Sequence, residues 1–325
     1  MKENQPLRSF LVMLAAVATC LLATPATAHA DEPGPAPIPS AGCASDTPLE
    51  QRATVKFQGS EKSGQYRRMV PAAADRPLPV VLALHGLLEN IDIAELGSGM
   101  GEYGLRQGFV TVTPQLDRLA PSQWEFGPGS ADITWLGEVL THVESTVCAD
   151  LGRIYVTGLS MGGFATSSAG CRFADRIAAI APVAGLRDFS WCRPARPVPV
   201  IAFHGTDDPI VPYTGTAGTG SAAGDENSGA SPGAVTAAAQ SWANRNGCTG
   251  GAQRTTIATD VVLDRYACPP GADVQLYSIL GGGHIWPGSR SPLYPAFIVG
   301  ANTTSIDATV LIWDFFRAHP GPAAR

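Results

Sequence analysis

Six short, largely apolar runs punctuate the chain, at residues 79–84, 109–112, 154–156, 177–183, 200–203 and 274–279. Gly and Pro bound them. Runs of this kind read as strands buried on both faces, the pattern of a parallel sheet. Helix-length stretches lie between them, at residues 131–147, 161–173 and 233–245. Strands alternating with helices predict an α/β fold, with a mostly parallel central sheet, helices on both faces and a single domain.

The pattern changes at both ends and once in the middle. Lys2 and Arg8 precede an apolar run from Phe10 to Ala23, and Ala28-His29-Ala30 closes the segment as an A-x-A cleavage site. Residues 1–30 are therefore expected to be a signal peptide, since the run is too short and wrongly flanked for a membrane span. Val17-Ala18-Thr19-Cys20 weakly resembles a lipoprotein box, which makes a lipid anchor at Cys20 the minor alternative to secretion. Residues 31–49 begin with a Pro-rich run too poor in apolar side chains to pack, and read as a flexible leader. The domain then covers residues 50–320, interrupted by a Gly/Ser/Ala-rich stretch at 214–235 expected to be a flexible loop, and ends in a tail at 321–325.

Charge and cysteines narrow the setting. Without residues 1–30 the chain carries 20 basic and 27 acidic residues, leaving no electrostatic basis for binding nucleic acid or anionic membrane. Six cysteines remain beyond Cys20. An even number in an exported chain favours disulfides, and the absence of a C-x-x-C pair argues against zinc. Proximity suggests Cys248 with Cys268 and Cys171 with Cys192, leaving Cys43 for Cys148, among the 15 pairings that six cysteines allow.

Three segments carry the chemistry. Gly158-Leu159-Ser160-Met161-Gly162 follows the run at 154–156 and opens a helix of small residues, the strand–turn–helix that a nucleophile elbow requires. Gly229-Ala230-Ser231-Pro232-Gly233 also fits G-x-S-x-G, but has no strand before it and a proline after the serine. His204-Gly205-Thr206-Asp207-Asp208-Pro209 follows the run at 200–203, and Asp208 is preferred to Asp207 as the acid on the His-Gly-x-x-Asp spacing. Asp207 then serves the turn. Gly281-Gly282-Gly283-His284 follows the last run and lets a loop present the His284 ring over the sheet edge. His85 and His204, each ending a strand as His-Gly, read as turn-stabilising. Ser160, Asp208, His284 is the chain order of α/β-hydrolase nucleophilic catalysis. The expected oxyanion donors are the backbone amides of Met161 and Leu87.

With these segments placed, the chain resembles the secreted polyhydroxybutyrate depolymerase and feruloyl esterase group of α/β-hydrolases, related to carbohydrate esterase family 1. The resemblance spans about residues 50–318. It rests on Leu84-His85-Gly86, residues 153–160, Ala181-Pro182-Val183-Ala184-Gly185, residues 204–208 with Val211-Pro212-Tyr213, Asn246-Gly247-Cys248 and Gly283-His284-Ile285-Trp286-Pro287-Gly288. It implies an α/β-hydrolase fold, the triad Ser160, Asp208 and His284, and Trp286 near the substrate cleft. Leu87-Leu88 departs from the group, standing where small residues are common. No separate polymer-binding domain is read after the core.

The expectation is a secreted serine carboxylic-ester hydrolase acting through an acyl-enzyme, on 3-hydroxybutyrate-type polyester or on feruloyl or acetyl polysaccharide esters. The alternatives are a serine peptidase of the same fold and a catalytically idle binding module. No cofactor and no metal are expected. The expected partner is the ester substrate alone, oligomeric or polymeric, with no nucleic acid, no stable membrane association and a monomeric state. Trp124 and Tyr213 are candidates to stack on an aromatic acyl group or a sugar, against a plain core role.

Overall fold

The computed structural model describes residues 1, 35–45, 47–72, 76–118, 122–215 and 234–321. The expected signal peptide, Cys20, nearly all of the loop at 214–235, Ser231 and the end of the tail lie outside these residues. By contacts the chain divides into Met1–Gly34 and Pro35–Arg325, and the second unit holds the sheet and its helices.

All six apolar runs are strands, and they form one continuous parallel block. These are β3 (Leu78–Leu84), β4 (Val110–Leu116), β5 (Ala149–Leu159), β6 (Ala179–Val183), β7 (Val200–Gly205) and β10 (Val274–Ile279). Four further strands, β1 (Arg52–Gln58), β2 (Ser63–Met69), β8 (Thr249–Ala258) and β9 (Val261–Ala267), extend the sheet. The order is β1-β2-β4-β3-β5-β6-β7-β10-β9-β8, with the outer pairs antiparallel. The fold is therefore the expected mostly parallel α/β sheet, widened at both sides.

Helices cover both faces. On one face the core gathers Val80, Leu82 and Leu84 of β3 under Trp135, Phe164 and Trp242. These aromatics come from α3 (Ala131–Thr146), α4 (Met161–Arg172) and α5 (Val235–Arg245). On the other face Val81 meets Met100 and Trp313, from α2 (Met100–Gln107) and α7 (Ala308–Ala318). Alternate side chains of one strand thus reach two cores, which is why β3 reads as continuously apolar. Two shorter helices, α1 (Ile91–Ser98) and α6 (Ala296–Val299), follow β3 and precede α7.

The three disulfides are Cys43–Cys148, Cys171–Cys192 and Cys248–Cys268, the pairs that proximity suggested. The first corrects part of the leader's expected looseness. Pro39 bridges Asp150, Ser40 is 5% exposed and its hydroxyl donates to the Val147 carbonyl at 2.8 Å. Backbone pairing and a bridge, not apolar content, hold residues 35–45, and closing a loop of 105 residues contributes about 4–5 kcal/mol in the chain-entropy model. Among the described residues no helix is long and apolar enough to cross a membrane.

The topology also places a crevice. From β3 the chain moves outward to β4, then returns to the other side as β5. Loops leaving the carboxyl ends of β3 and β5 therefore diverge, and a crevice opens between them.

Candidate active site

The residues singled out from the sequence follow the carboxyl ends of three parallel strands, on one edge of the sheet. β5 runs into Ser160, β7 into Asp208 and β10 into His284.

Ser160 joins β5 to α4 with φ 58° and ψ −120°. A non-glycine residue holds such a conformation only at a cost of about 1–3 kcal/mol, which the surroundings must impose. Its amide donates to the Val183 carbonyl of β6 at 2.9 Å. Gly162 permits the close approach behind it, since a Cβ there would collide with the Leu84 and His85 carbonyls. Ser160 is left half-buried at the sheet edge. Met161 opens α4, so its amide has no intrahelical acceptor.

Asp208 is 5% exposed and fully engaged. Its Oδ1 accepts from the amides of Ile210 at 2.8 Å and Val211 at 2.7 Å. Its Oδ2 accepts from His284 Nδ1 at 2.7 Å and lies 3.2 Å from His204 Nε2. Burial alone would raise the carboxyl pKa. The hydrogen bonds from His204 and His284, with the electrostatic pull of the two rings, outweigh it and hold Asp208 well below the usual carboxylate range. An ionised carboxylate only accepts, so the His284 proton sits on Nδ1 and Nε2 keeps its lone pair. Asp208 and His284 are thus joined directly. Ser160 reaches the same edge without a hydrogen bond to His284, a contact that often tightens only in the substrate complex.

Asp207 is exposed; its amide donates to the Gly282 carbonyl at 2.9 Å and its Oδ1 accepts from Thr206 Oγ1 at 3.1 Å. It ties two loops at the turn and touches no histidine ring.

The loop after β3 commits most of its amides. Gly86 donates to Glu89 Oε2 at 2.6 Å, Leu88 to the Ser122 carbonyl at 2.9 Å and Glu89 to the Gly86 carbonyl at 3.3 Å. The Leu87 amide has no such partner among the described residues. Leu88 sits at φ 66° and is 70% exposed, while Leu87 packs against the core. The departure at Leu87-Leu88 therefore puts one leucine inward and one into solvent.

Two of the aromatic candidates are buried. Trp286 is 3% exposed, and its indole N–H donates to Thr309 Oγ1 at 2.9 Å. It lines a cleft of about 550 Å³ that none of Ser160, Asp208 and His284 lines, and also a smaller pocket with Leu84, Glu89, Leu159 and Tyr294. Trp124 is 2% exposed, donates to the His85 carbonyl at 2.9 Å and lies at a tilt against the His85 ring with centroids 4.7 Å apart, a core role. Tyr213 is half-buried, with its hydroxyl 2.6 Å from Ser278 Oγ.

Burial holds the His85 imidazole neutral, with its pKa pushed down to about 4 although a bond to the Gly86 carbonyl favours the charged form. The unfolded chain takes up that proton near pH 6.5, so this contribution to stability is complete above about 6.5 and is lost on acidification towards 4. Between pH 7 and pH 5 His85 alone is expected to cost about 2 kcal/mol. Unfolding free energies from urea titrations at the two pH values should fall by that much less in His85→Gln than in the native chain.

Sequence reading missed three participants. His204 was assigned to its turn, yet its Nε2 also faces Asp208, and the i,i+4 spacing of His-Gly-x-x-Asp was the available signal. Glu89 is 8% exposed, and its Oε1 accepts from the Tyr294 hydroxyl at 2.6 Å across 205 residues. Burial raises the Glu89 pKa, against the Tyr294 and Gly86 bonds and the nearby charge of His284. No local pattern announces that pair.

No family model matches the chain. It is 31% identical to feruloyl esterase B of Piromyces equi over 227 residues, 65% of this chain and 40% of that protein. It is 34% identical to poly(3-hydroxyalkanoate) depolymerase C of Paucimonas lemoignei over 132 residues, 37% of this chain and 31% of that one. The chain thus spans less than half the length of these relatives. Among solved structures, an acetyl xylan esterase from Aspergillus awamori superimposes with TM-score 0.55 at 14% identity, covering 73% of this chain and 94% of that one. The fold is that of an α/β-hydrolase. Within it, the chain is a homologue of proteins named feruloyl esterase, acetylxylan esterase and poly(3-hydroxyalkanoate) depolymerase.

Proposed function

We propose that this chain is a secreted serine carboxylic-ester hydrolase working through an acyl-enzyme, with Ser160 as nucleophile, His284 as base and Asp208 as the acid that orients it. The observation that carries the reading is the buried Asp208–His284 bond of 2.7 Å at the sheet edge where the strained Ser160 turn also ends.

In the first half-reaction Ser160 Oγ attacks the ester carbonyl as His284 Nε2 takes its proton. Asp208 keeps the imidazole in the required tautomer and stabilises its charged form. The tetrahedral oxyanion is received by the amides of Leu87 and Met161, both free of other acceptors among the described residues. His284 returns the proton to the leaving alkoxide, and the acyl group stays on Ser160. Water then attacks the acyl-enzyme with His284 again as base, releasing the acid. The substrate is an ester of the kinds for which the relatives are named, either a feruloyl or acetyl group on polysaccharide or a 3-hydroxyalkanoate chain.

The test is a matched panel of methyl ferulate, acetylated xylan, soluble 3-hydroxybutyrate oligomers, a polyhydroxybutyrate film and a p-nitroanilide peptide. Turnover of at least one ester, with none of the anilide, is the expected result. Ferulate or xylan turnover assigns a plant-polymer esterase, and preference for hydroxybutyrate assigns an oligomer or polymer hydrolase. A folded protein that cleaves no ester overturns the reading.

A further inference from the structure

We infer that Glu89 and Tyr294 form a strap that positions the oxyanion loop against the loop of His284, making both positioning residues for acyl transfer. This inference rests on the esterase reading.

Glu89 is a carboxylate in an unexpected place, 8% exposed and without a salt bridge to Lys or Arg among the described residues. Burying such a group is costly unless donors satisfy it. Two do, from opposite ends of the domain. The Gly86 amide donates to Oε2 and the Tyr294 hydroxyl to Oε1, each at 2.6 Å. An apolar side chain could fill the volume but would accept from neither donor.

Each bond fixes something the reaction needs. By taking up the Gly86 amide, Glu89 sets the peptide immediately before Leu87, whose own amide has no acceptor among the described residues. The next residue, Leu88, is held at φ 66° with its amide on the Ser122 carbonyl. A left-handed leucine that is 70% exposed gains nothing from packing, so the strain must be imposed by the anchors around it. Asn90, the residue after Glu89, caps α1 by accepting from the Ile93 amide at 2.9 Å. The residues between β3 and that cap therefore form a short clamped arch.

Tyr294 carries the other end. A Cβ on Gly97 would collide with the Tyr294 hydroxyl and ring, so α1 leaves room for the phenol to reach Glu89. Five residues on, the Val299 carbonyl accepts the His284 amide at 2.5 Å, and the Gly283 amide donates to the Ala301 carbonyl at 2.8 Å. The segment that presents Tyr294 to the arch also holds the backbone of the base. Donor and base are thereby placed relative to one another, which matters because a displacement of about 1 Å costs on the order of 100-fold in rate.

The test uses the mature chain and a soluble ester, p-nitrophenyl butyrate, with Glu89→Gln, Tyr294→Phe, the double variant and Ser160→Ala as control. Each single variant should lower kcat about 10- to 100-fold, with KM within about twofold. The two losses should not add, because either change opens the same strap. Affinity for butylboronic acid, which forms a tetrahedral adduct on the nucleophile, should fall in step with kcat, and thermal midpoints should stay close to native. Tyr294→Phe removes only an oxygen, which keeps the test decisive if Glu89→Gln folds poorly. Native kcat and boronate affinity in Tyr294→Phe overturn the strap while leaving the esterase reading intact. Losses that follow the folded fraction, or that fall on KM alone, overturn it as well. A native protein with no turnover that Ser160→Ala abolishes fails the esterase reading and the strap together.

Discussion

Ser160→Ala is expected to lower kcat on any ester the protein cleaves by on the order of 10⁶-fold while leaving the fold intact. Only Oγ is lost. The alanine retains the Cβ, so the φ of 58° is neither relieved nor worsened, and the amide bond to Val183 persists. Residual turnover would come from binding and from the oxyanion amides. Stability should change by less than about 0.5 kcal/mol, as for substitutions that touch neither core nor backbone. Steady-state rates and a thermal melt check both halves. Activity surviving within tenfold of native would remove Ser160 as the nucleophile, whatever else the chain does.

The second large effect separates two adjacent carboxylates. Asp208→Asn is expected to cost about 10⁴-fold in kcat, and Asp207→Asn less than about twofold. In Asp208→Asn the amide nitrogen can donate to His284 Nδ1, which favours the tautomer whose Nε2 carries hydrogen and cannot act as base. The loss of charge also leaves the imidazolium unsupported during the reaction. Asp207 is exposed and touches only Thr206 and the Gly282 carbonyl. The measurement is kcat for both variants side by side on one soluble ester. Equal losses would sink the assignment of the acid. The same geometry sets an acid limit. The Asp208 pKa lies below its unfolded value, so its contribution to stability is present above about pH 3.9 and is lost only below that, as pH falls through the folded value.

What was legible in the chain was whatever declares itself within a few residues. The six strands of the parallel block are buried on both faces, so their apolar runs are continuous and bounded by turn residues. The strand–turn–helix expected around Ser160 is present, from β5 into α4, while Ser231 lies outside the described residues. Asp208 and His284 were legible from spacing and order, since loops leaving neighbouring parallel strands share one edge. The α7 helix was legible too, in its Asp307 cap and in Ala308, Ile312, Phe315 and Phe316 along one face, although no helix was assigned there.

Tertiary structure decided the rest. Strand β1 alternates between exposed and half-buried positions and β8 is exposed almost throughout, so neither carries the apolar run of a central strand. Their places at the sheet margins come from partners, not from local sequence. The leader from Pro35 looked loose because its hold comes from backbone and hydroxyl bonds to residues 147–151 and a disulfide to a cysteine 105 residues away. Trp286 is buried with its indole N–H on the Thr309 hydroxyl, a partner on another element that local sequence does not show. Nothing local marks Glu89 for burial; Tyr294, 205 residues on, gives it a donor. Local pattern reports which side chains leave water and where the backbone must turn. Which distant donor meets a buried acceptor depends on how the elements pack, and only the folded chain supplies it.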